Sequence, residues 1–341
     1  MTPEQAAEYR AVRQAAGIAE RTDRARIRLW GRDPVKMVQG LVTNDLAGAP
    51  EGQGVYAALL TPKGRMIAEL RAFRRAGAGG VEVLLDLPRE ALEGTRAHLQ
   101  RMVPPLFARW ADVSDELGAL GVYGPRSREL LERVLDAPVP ELAEDATHEA
   151  AFAREPVLAA GTRDAGLEEG YDLFAAASAL PGLRAALLEL GAHPVGRETL
   201  EVLRIEAGRP RYGAELSEEV IPTEAYGEAG LLHRAVSFTK GCYTGQEVIV
   251  RIAHRGHVNR HLRGLLLGDA PAPDPGARLF DPATGKDTGR VTSAAVSPRL
   301  GQTVALGYVR REVEPGGVVK VGAADGPAAT VARLPFEPPP G

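Results

Sequence analysis

At 341 residues the chain has room for two or three domains at a prior of about 150 residues each, with enough apolar content for real cores. Hydrophobic residues at 44% and charged residues at 25% exclude a disordered chain, and a net charge of -4 excludes a surface that is wholly a nucleic-acid footprint, though not a local basic patch. The single cysteine excludes an internal disulfide and a zinc site built on several thiolates.

The N-terminal stretch MTPEQAAEYRAVRQAAG has a helical pattern without the apolar core of a secretory signal, and its glutamates argue against a transit peptide. No apolar run approaches the roughly 20 residues of a membrane helix. The expectation is a soluble, cytoplasmic protein with no membrane partner. "RARIRLWGRDP" then alternates like a strand and stops at Gly31 and Pro34. Asp33 opens a helix with Pro34 at its first position, closing near Gly40. Residues 54–75 read as a hairpin turning at Thr61-Pro62-Lys63-Gly64. That tip lacks the glycine spacing of a phosphate-binding loop, which disfavours nucleotide binding. "GGVEVLLDLP" is a further strand, followed by a helix across 89–102.

From Leu117 the pattern restarts with the strand "ALGVYG", a helix opened by Pro125, and the strands "EPVLAAGTR" and "GYDLFAA". The helix "LPGLRAALLELG" follows, with Gly191 just past its end, and then "RETLEVLRIEAG", closed by Gly208 and Pro210. Strands and helices mix without regular βα alternation, so the class is α+β. Beyond about Leu262 short alternating strands between Pro/Gly turns indicate a small β-barrel or sandwich, and the final PFEPPPG reads as a frayed tail.

The stretch TKGCYTGQEV, residues 239–248, holds the lone cysteine and one of five lysines. Thr244 and Glu247 have the spacing of a capping box, which would put Cys242 just outside a helix N-terminus. There the helix dipole and Lys240 would both lower the thiol pKa, and the flanking glycines would leave room for a reactant. Two other readings stand beside this one. Cys242 is equally a small buried hydrophobe, and "VIVRI" is β-branched enough for a strand.

The motif KGCYTGQE, followed by VRIAHRGHVNRHLRGL, resembles the signature of the folate-binding YgfZ-type proteins, relatives of the glycine-cleavage T-protein. Lys240, Cys242, Gln246 and Glu247 fall at the family's positions, and Arg251, Gly256 and Arg260 match downstream. Upstream, "LVTNDL", "LLTPKGRMIAELRAF", "EEGYDLF" and "LRIEAGRPRYGAELSEEVIPTEA" extend the resemblance over most of residues 38–265. It implies T-protein-like lobes around a central folate pocket, with a C-terminal barrel. The corresponding division is 1–115, 116–261 with a ferredoxin-like part about 116–195, and 262–341.

The resemblance further implies a protein that binds tetrahydrofolate or a derivative. Such a protein supports iron–sulfur cluster assembly or repair and tRNA thiomodification through a reactive Cys242, with iron–sulfur proteins or assembly factors as partners. Asp172 stands where the family reads the pterin with an acid, since one carboxylate can accept from the ring's amino group and N–H together. Arg204 stands at the folate-holding arginine and Tyr171 beside the ring. Asn44, Gln246, Glu247 and Arg251 complete the expected pocket.

The T-protein's pair of aspartates is replaced by Ala68 and Glu69, which weakens the alternative reading, an aminomethyltransferase of the glycine-cleavage type with Glu69 as its acid. A third reading, a non-catalytic RNA-binding adaptor, rests on the four arginines and three histidines of residues 251–263. His254, His257 and His261 have no evident fourth ligand, so no metal is expected.

Overall fold

The computed structural model describes residues 1–336 except 78, 168 and 228–230, and at 254 and 255 the backbone alone. The chain begins with helix α1 (Pro3–Gln14), whose N-cap Thr2 forms a capping box with Gln5. Strands β1 (Gly17–Glu20) and β2 (Arg24–Trp30) lead to helix α2 (Pro34–Gln39). Then come β3 (Val55–Leu60), β4 (Met66–Gly77), β5 (Gly80–Pro88), a 3-10 turn running into α3 (Leu92–Met102), and β6 (Arg109–Asp112). The middle of the chain holds β7 (Leu117–Tyr123), α4 (Ser127–Val134), β8 (Thr147–Phe152), β9 (Glu155–Gly161), β10 (Gly170–Ala176), α5 (Leu180–Glu189) and β11 (His193–Pro194). Helices α6 (Arg197–Glu206), α7 (Pro222–Tyr226), α8 (Leu232–Ala235) and α9 (Gln246–Arg255) precede β12 (Arg260–Gly268), β13 (Arg278–Phe280), β14 (Asp287–Ser297), β15 (Gln302–Arg310), β16 (Val318–Val321) and β17 (Ala328–Ala332).

Among the described residues the strands form three sheets. A five-stranded sheet runs β3-β4-β5-β2-β6, a six-stranded sheet runs β11-β1-β7-β10-β9-β8, and β12-β15-β14-β13-β16-β17 close into a barrel. The α+β class and the C-terminal barrel are therefore as the sequence indicates. The chain divides into two compact units: Met1–Leu59, Ala68–Leu200 and Thr239–Tyr243 make the first, and Leu60–Ile67, Glu201–Phe238 and Thr244–Gly341 the second.

In the first unit, one apolar cluster lies on the helical side of the six-stranded sheet. It joins Leu120, Val122, Tyr171 and Leu173 to Leu130 and Leu131 of α4 and Leu183 and Leu187 of α5. A second cluster lies between the two sheets, where Phe73 and Leu84 meet Ala119, Leu158 and Phe174. The rings of Phe73 and Phe174 are 5.6 Å apart and tilted, a favourable aromatic arrangement. In the second unit the barrel core is a column of aliphatics that includes Leu265, Leu279, Val291, Val309, Val319 and Val331. Each comes from the inward-facing set of its strand.

Three local expectations differ. Strands β1 and β8 escape the sequence pattern, because β1 has four residues and β8 is alanine-rich and lies at its sheet's edge. "VIVRI" is helical within α9, where Ile249 is buried and the exposed Glu247 suits the positive end of the helix dipole. The start of PFEPPPG is not frayed: Phe336 is 3% exposed and fills the space a side chain at Gly264 would need. Residues 337–341 lie outside the described residues.

The barrel's tightest backbone approach is at Gly289. Its φ is +155°, and a Cβ there would lie 2.0 Å from the Tyr308 carbonyl oxygen. Gly276 also has positive φ, but open space around it. Gly289→Ala should therefore cost about 2–4 kcal/mol, from backbone strain plus the clash, and Gly276→Ala about 1 kcal/mol, from strain alone. Urea unfolding of the two variants checks this; equal midpoints would contradict it.

Candidate active site

The residue-by-residue alternation of a strand decides what lies between the two sheets of the first unit. On β4, Glu69 and Arg71 share a face with Phe73. On β5, Asp86 shares one with Leu84, and on β10, Asp172 shares one with Phe174. The apolar members form the cluster between the sheets. The charged members, joined by Arg24 and Arg26 of β2, form an ionic layer. Arg71 is 2% exposed and binds both sheets: Nε donates to Asp145 Oδ1 (2.9 Å), Nη1 to Asp172 Oδ2 (2.6 Å) and Nη2 to the Gly161 carbonyl (2.8 Å). Asp172 Oδ1 accepts from the Tyr123 hydroxyl (3.0 Å) and from Arg21 Nη1 (3.2 Å). Arg24 donates to Asp86 Oδ2 (2.6 Å), to the Asp86 carbonyl (2.9 Å) and to Glu69 Oε1 (3.2 Å).

The titration behaviour follows from burial set against these partners. Burial alone would lower the pKa of Arg71, but Asp145 and Asp172 outweigh it and hold the guanidinium above its ordinary range. Arg24 is likewise held up by Asp86 and Glu69 against burial. Glu69 goes the other way: burial pushes its carboxyl up, and Arg24 only partly opposes that. Burial also raises Asp23, yet Arg21 outweighs it and brings the carboxyl down to about 2.

The expected folate contacts are placed differently by the fold. Tyr171 and Asp172 are neighbours on β10 and so face opposite ways. Tyr171 packs in the helical-side cluster, with its hydroxyl on Glu169 (3.1 Å), and it does not wall any space that Asp172 faces. Asp172 is 2% exposed with three donors already on its two oxygens. A carboxylate offers about four acceptor positions, so Asp172 cannot read a pterin edge with both oxygens until Arg21 or Tyr123 turns away.

Arg204, in the second unit, has all five of its N–H donors engaged. Nε and Nη2 reach Glu201 (2.9 and 2.5 Å), Nη1 reaches Glu215 (2.8 Å) and the Arg209 carbonyl (2.6 Å), and Nη2 also reaches Ser293 (2.8 Å). It serves as a structural cation, with no donor left for a folate carboxylate. Asn44 is a turn former: its amide donates to the Tyr56 carbonyl and its side-chain oxygen accepts from the Asp45 N–H.

The cysteine loop also departs from expectation. Cys242 is exposed, which removes the reading as a buried hydrophobe. Thr244 does not cap the following helix. Gly245 holds the N-cap at φ +83°, without a side-chain cap bond, because a Cβ there would lie 2.7 Å from the Thr61 carbonyl oxygen. Lys240 is buried, and its ammonium donates to the carbonyls of Gln39 (2.6 Å), Val42 (2.8 Å) and Asn44 (2.9 Å). Those carbonyls include the last residue of α2, where the helix leaves acceptors unpaired and its dipole favours a cation. The rare lysine thus closes a helix end, its ammonium donating to three carbonyl oxygens. Gln246 and Glu247 stand in the first turn of α9, and Arg251 is exposed further along it.

Residues 251–263 do not make one exposed basic stripe. Arg260 stacks on Tyr308 at 4.6 Å and pairs with Glu224 (3.2 Å), and Arg263 is 2% exposed. The side chains of His254 and Arg255 lie outside the described residues. Sequence reasoning missed Arg21, Arg71, Tyr123 and Asp145. The available signal was the run MIAELRAF, in which apolar residues on the second face leave no solvent side for Glu69 and Arg71.

Known protein families match nearly the whole chain. The GCVT N-terminal domain matches residues 1–240, and the glycine cleavage T-protein C-terminal barrel domain matches residues 260–337. An aminomethyltransferase of Shouchella clausii is 32% identical over 305 residues, covering 88% of this chain and 80% of that one. One of Moorella thermoacetica is 31% identical over 337 residues, covering 96% and 88%. The crystal structure of the glycine cleavage system aminomethyltransferase T from Bartonella henselae has the same fold, with a TM-score of 0.86 at 22% identity, covering 98% of this chain and 89% of that one.

Burial pushes the Lys240 ammonium down from its ordinary 10.5 to about 8, with Asp45 opposing. Between those values the unfolded chain binds more protons at this residue, so this group's contribution to stability rises as pH climbs from about 8 to 10.5. Lys240→Met should remove that rise. It should also cost about 2–4 kcal/mol at neutral pH by leaving carbonyls without their donor. Denaturant midpoints across this pH range check both effects, and a variant as stable as wild type would contradict the assignment.

Proposed function

Because the chain belongs to the glycine-cleavage T-protein family, we propose that it is a tetrahydrofolate-dependent transferase of aminomethyl groups in which Glu69 is the acid–base residue. The observation that carries this reading is the state of Glu69: a carboxyl 5% exposed, fixed by Arg24 and raised in pKa by burial. A raised pKa suits a carboxyl to proton transfer near neutrality, where an ordinary one is fully ionised. Glu69 stands where the family has its aspartate pair, and Ala68, its neighbour, has no proton to give. In the family's reaction a methylene unit passes from a lipoyl-bound carrier to tetrahydrofolate: its bonds to the lipoyl sulfur and to the amino nitrogen break, and bonds to two tetrahydrofolate nitrogens form. The two N–H protons released at the accepting nitrogens balance the protonation of the leaving thiolate and ammonia, and Glu69 would relay the one that goes to the departing nitrogen. Arg24 holds one carboxylate oxygen and so fixes the direction of the other.

The fit to folate is uneven, and that shapes the reading. Glu69 suits proton transfer. Asp172 suits pterin recognition only if Arg21 or Tyr123 yields its place, and Arg204 does not suit the folate tail at all. Arg21 therefore competes with the pterin for Asp172 under this reading.

A second reading is favoured by the exposure of Cys242 within a YgfZ-type motif. In it the protein maintains iron–sulfur enzymes through its thiol, with folate as a bound cofactor, and contributes to tRNA thiomodification. The reading rests on access to the sulfur.

Two assays separate these. With tetrahydrofolate and an aminomethyl-loaded lipoyl carrier, the purified protein should form methylenetetrahydrofolate. Glu69→Gln should lower kcat by about 100-fold or more while folate binding persists. The wild-type rate should fall along a pH limb displaced upward from 4.5, the ordinary value for a glutamate. An inactive wild type that still binds folate, with iron–sulfur enzyme activity lost in Cys242→Ala cells, would transfer the assignment to the second reading.

A further inference from the structure

The first unit contains a cleft of about 420 Å³ that includes two members of its ionic system, Arg21 and Arg26, but not Glu69. Arg89 and Arg184 bring its arginines to four, and Glu20 is the one carboxylate among its lining residues. Leu180 and Pro181 give it an apolar side. The volume falls within the usual range for a small-molecule site.

The positive charge in this cleft is incompletely matched. Arg26 is 2% exposed; Nη1 and Nη2 donate to the carbonyls of Arg24 (3.3 Å) and Arg21 (2.9 Å). Its Nε has no hydrogen-bond partner among the described residues, and Asp86 Oδ1 stands at 3.6 Å, beyond hydrogen-bond distance. Burial pulls the Arg26 pKa down, and Asp86 makes up only part of the loss. Arg89 is exposed and donates to the carbonyls of Thr22 (3.1 Å) and Arg24 (3.4 Å), with no ion pair to a carboxylate among the described residues. Arg184 pairs with Glu20 at 3.2 Å, and both side chains are more than a third exposed, so the pair is weak and can open. Helix α5 starts at the cleft with no acidic residue in its first turn, which adds the positive end of its dipole.

We propose that this cleft binds a small organic anion, with a carboxylate or phosphate head on Arg89 and Arg184, in the field of the buried Arg26, and an apolar body against Leu180 and Pro181. Planar guanidinium groups match both head groups through paired hydrogen bonds. The site is distinct from the acid–base centre proposed above and stands or falls independently of it.

Calorimetric titration with glutarate, with glycerol phosphate and with uncharged glutaramide tests the proposal. At least one of the two anions should bind, and glutaramide should not. Preference for glutarate assigns a carboxylate head, and preference for glycerol phosphate a phosphate head. The Arg89→Gln/Arg184→Gln variant alters one exposed and one half-buried position and should keep its fold. It should weaken binding by about tenfold or more, since each charge-assisted bond is worth roughly that factor. Arg32→Gln, which removes the same kind of charge outside the cleft, should leave binding within about twofold. Binding by neither anion, equal binding of glutaramide, an unchanged double variant, or an equal loss in Arg32→Gln would each overturn the proposal.

Discussion

The first unit is organised around a buried guanidinium, that of Arg71, which holds Asp145 and Asp172 while rising from the same strand face as Phe73. Apolar packing alone would let two sheets slide over one another, because dispersion and area burial have no direction. The arginine fixes their relation. Its planar fork must meet carboxylates whose positions are set by the opposite sheet and its connections, so the stagger is specified to within hydrogen-bond tolerance. The arrangement is costly to assemble, since every ion in it has left water, and Coulomb attraction offsets that cost only while all partners are present. Removing one member leaves its counterpart buried and charged, which is why the layer acts as a unit.

The same electrostatics bear on function. The carboxyls in this layer are differentiated by their arginines. Glu69 has a share of Arg24 and is kept high by burial; Asp172 lies among Arg71, Arg21 and Tyr123 and is occupied as an acceptor. Arg21 lies at the junction, serving Asp23 and Asp172 and also lining the cleft with Arg26, Arg89 and Arg184. Whatever draws Arg21 away changes what Asp172 can accept.

Much of the architecture was legible because it depends on local chemistry. Pro34 after Asp33, the turn at 61–64, Gly191 past α5 and the Pro/Gly turns of the barrel act on their own neighbourhoods, and each element appears near its expected place. The site was less legible because its meaning depends on what arrives from elsewhere in the chain. R-A-R-I-R-L-W reads as a strand with one apolar and one wet face, and only the second sheet shows that Arg24 and Arg26 are buried. Lys240 reads as a neighbour of the thiol because only Gly241 separates them in sequence. Its ammonium instead meets oxygens some 200 positions earlier, a separation no motif encodes. Cys242 itself is exposed.

The most direct test of this account is a double-mutant cycle on Arg71 and Asp172, using Arg71→Met, Asp172→Leu and the pair, followed by urea unfolding. Each single variant should lose about 3–5 kcal/mol, and the pair should recover part of that loss, giving a coupling of about 2–3 kcal/mol. Losses that simply add, with coupling below about 0.5 kcal/mol, would mean that the sheets are held by their apolar contacts and that the ionic layer is incidental.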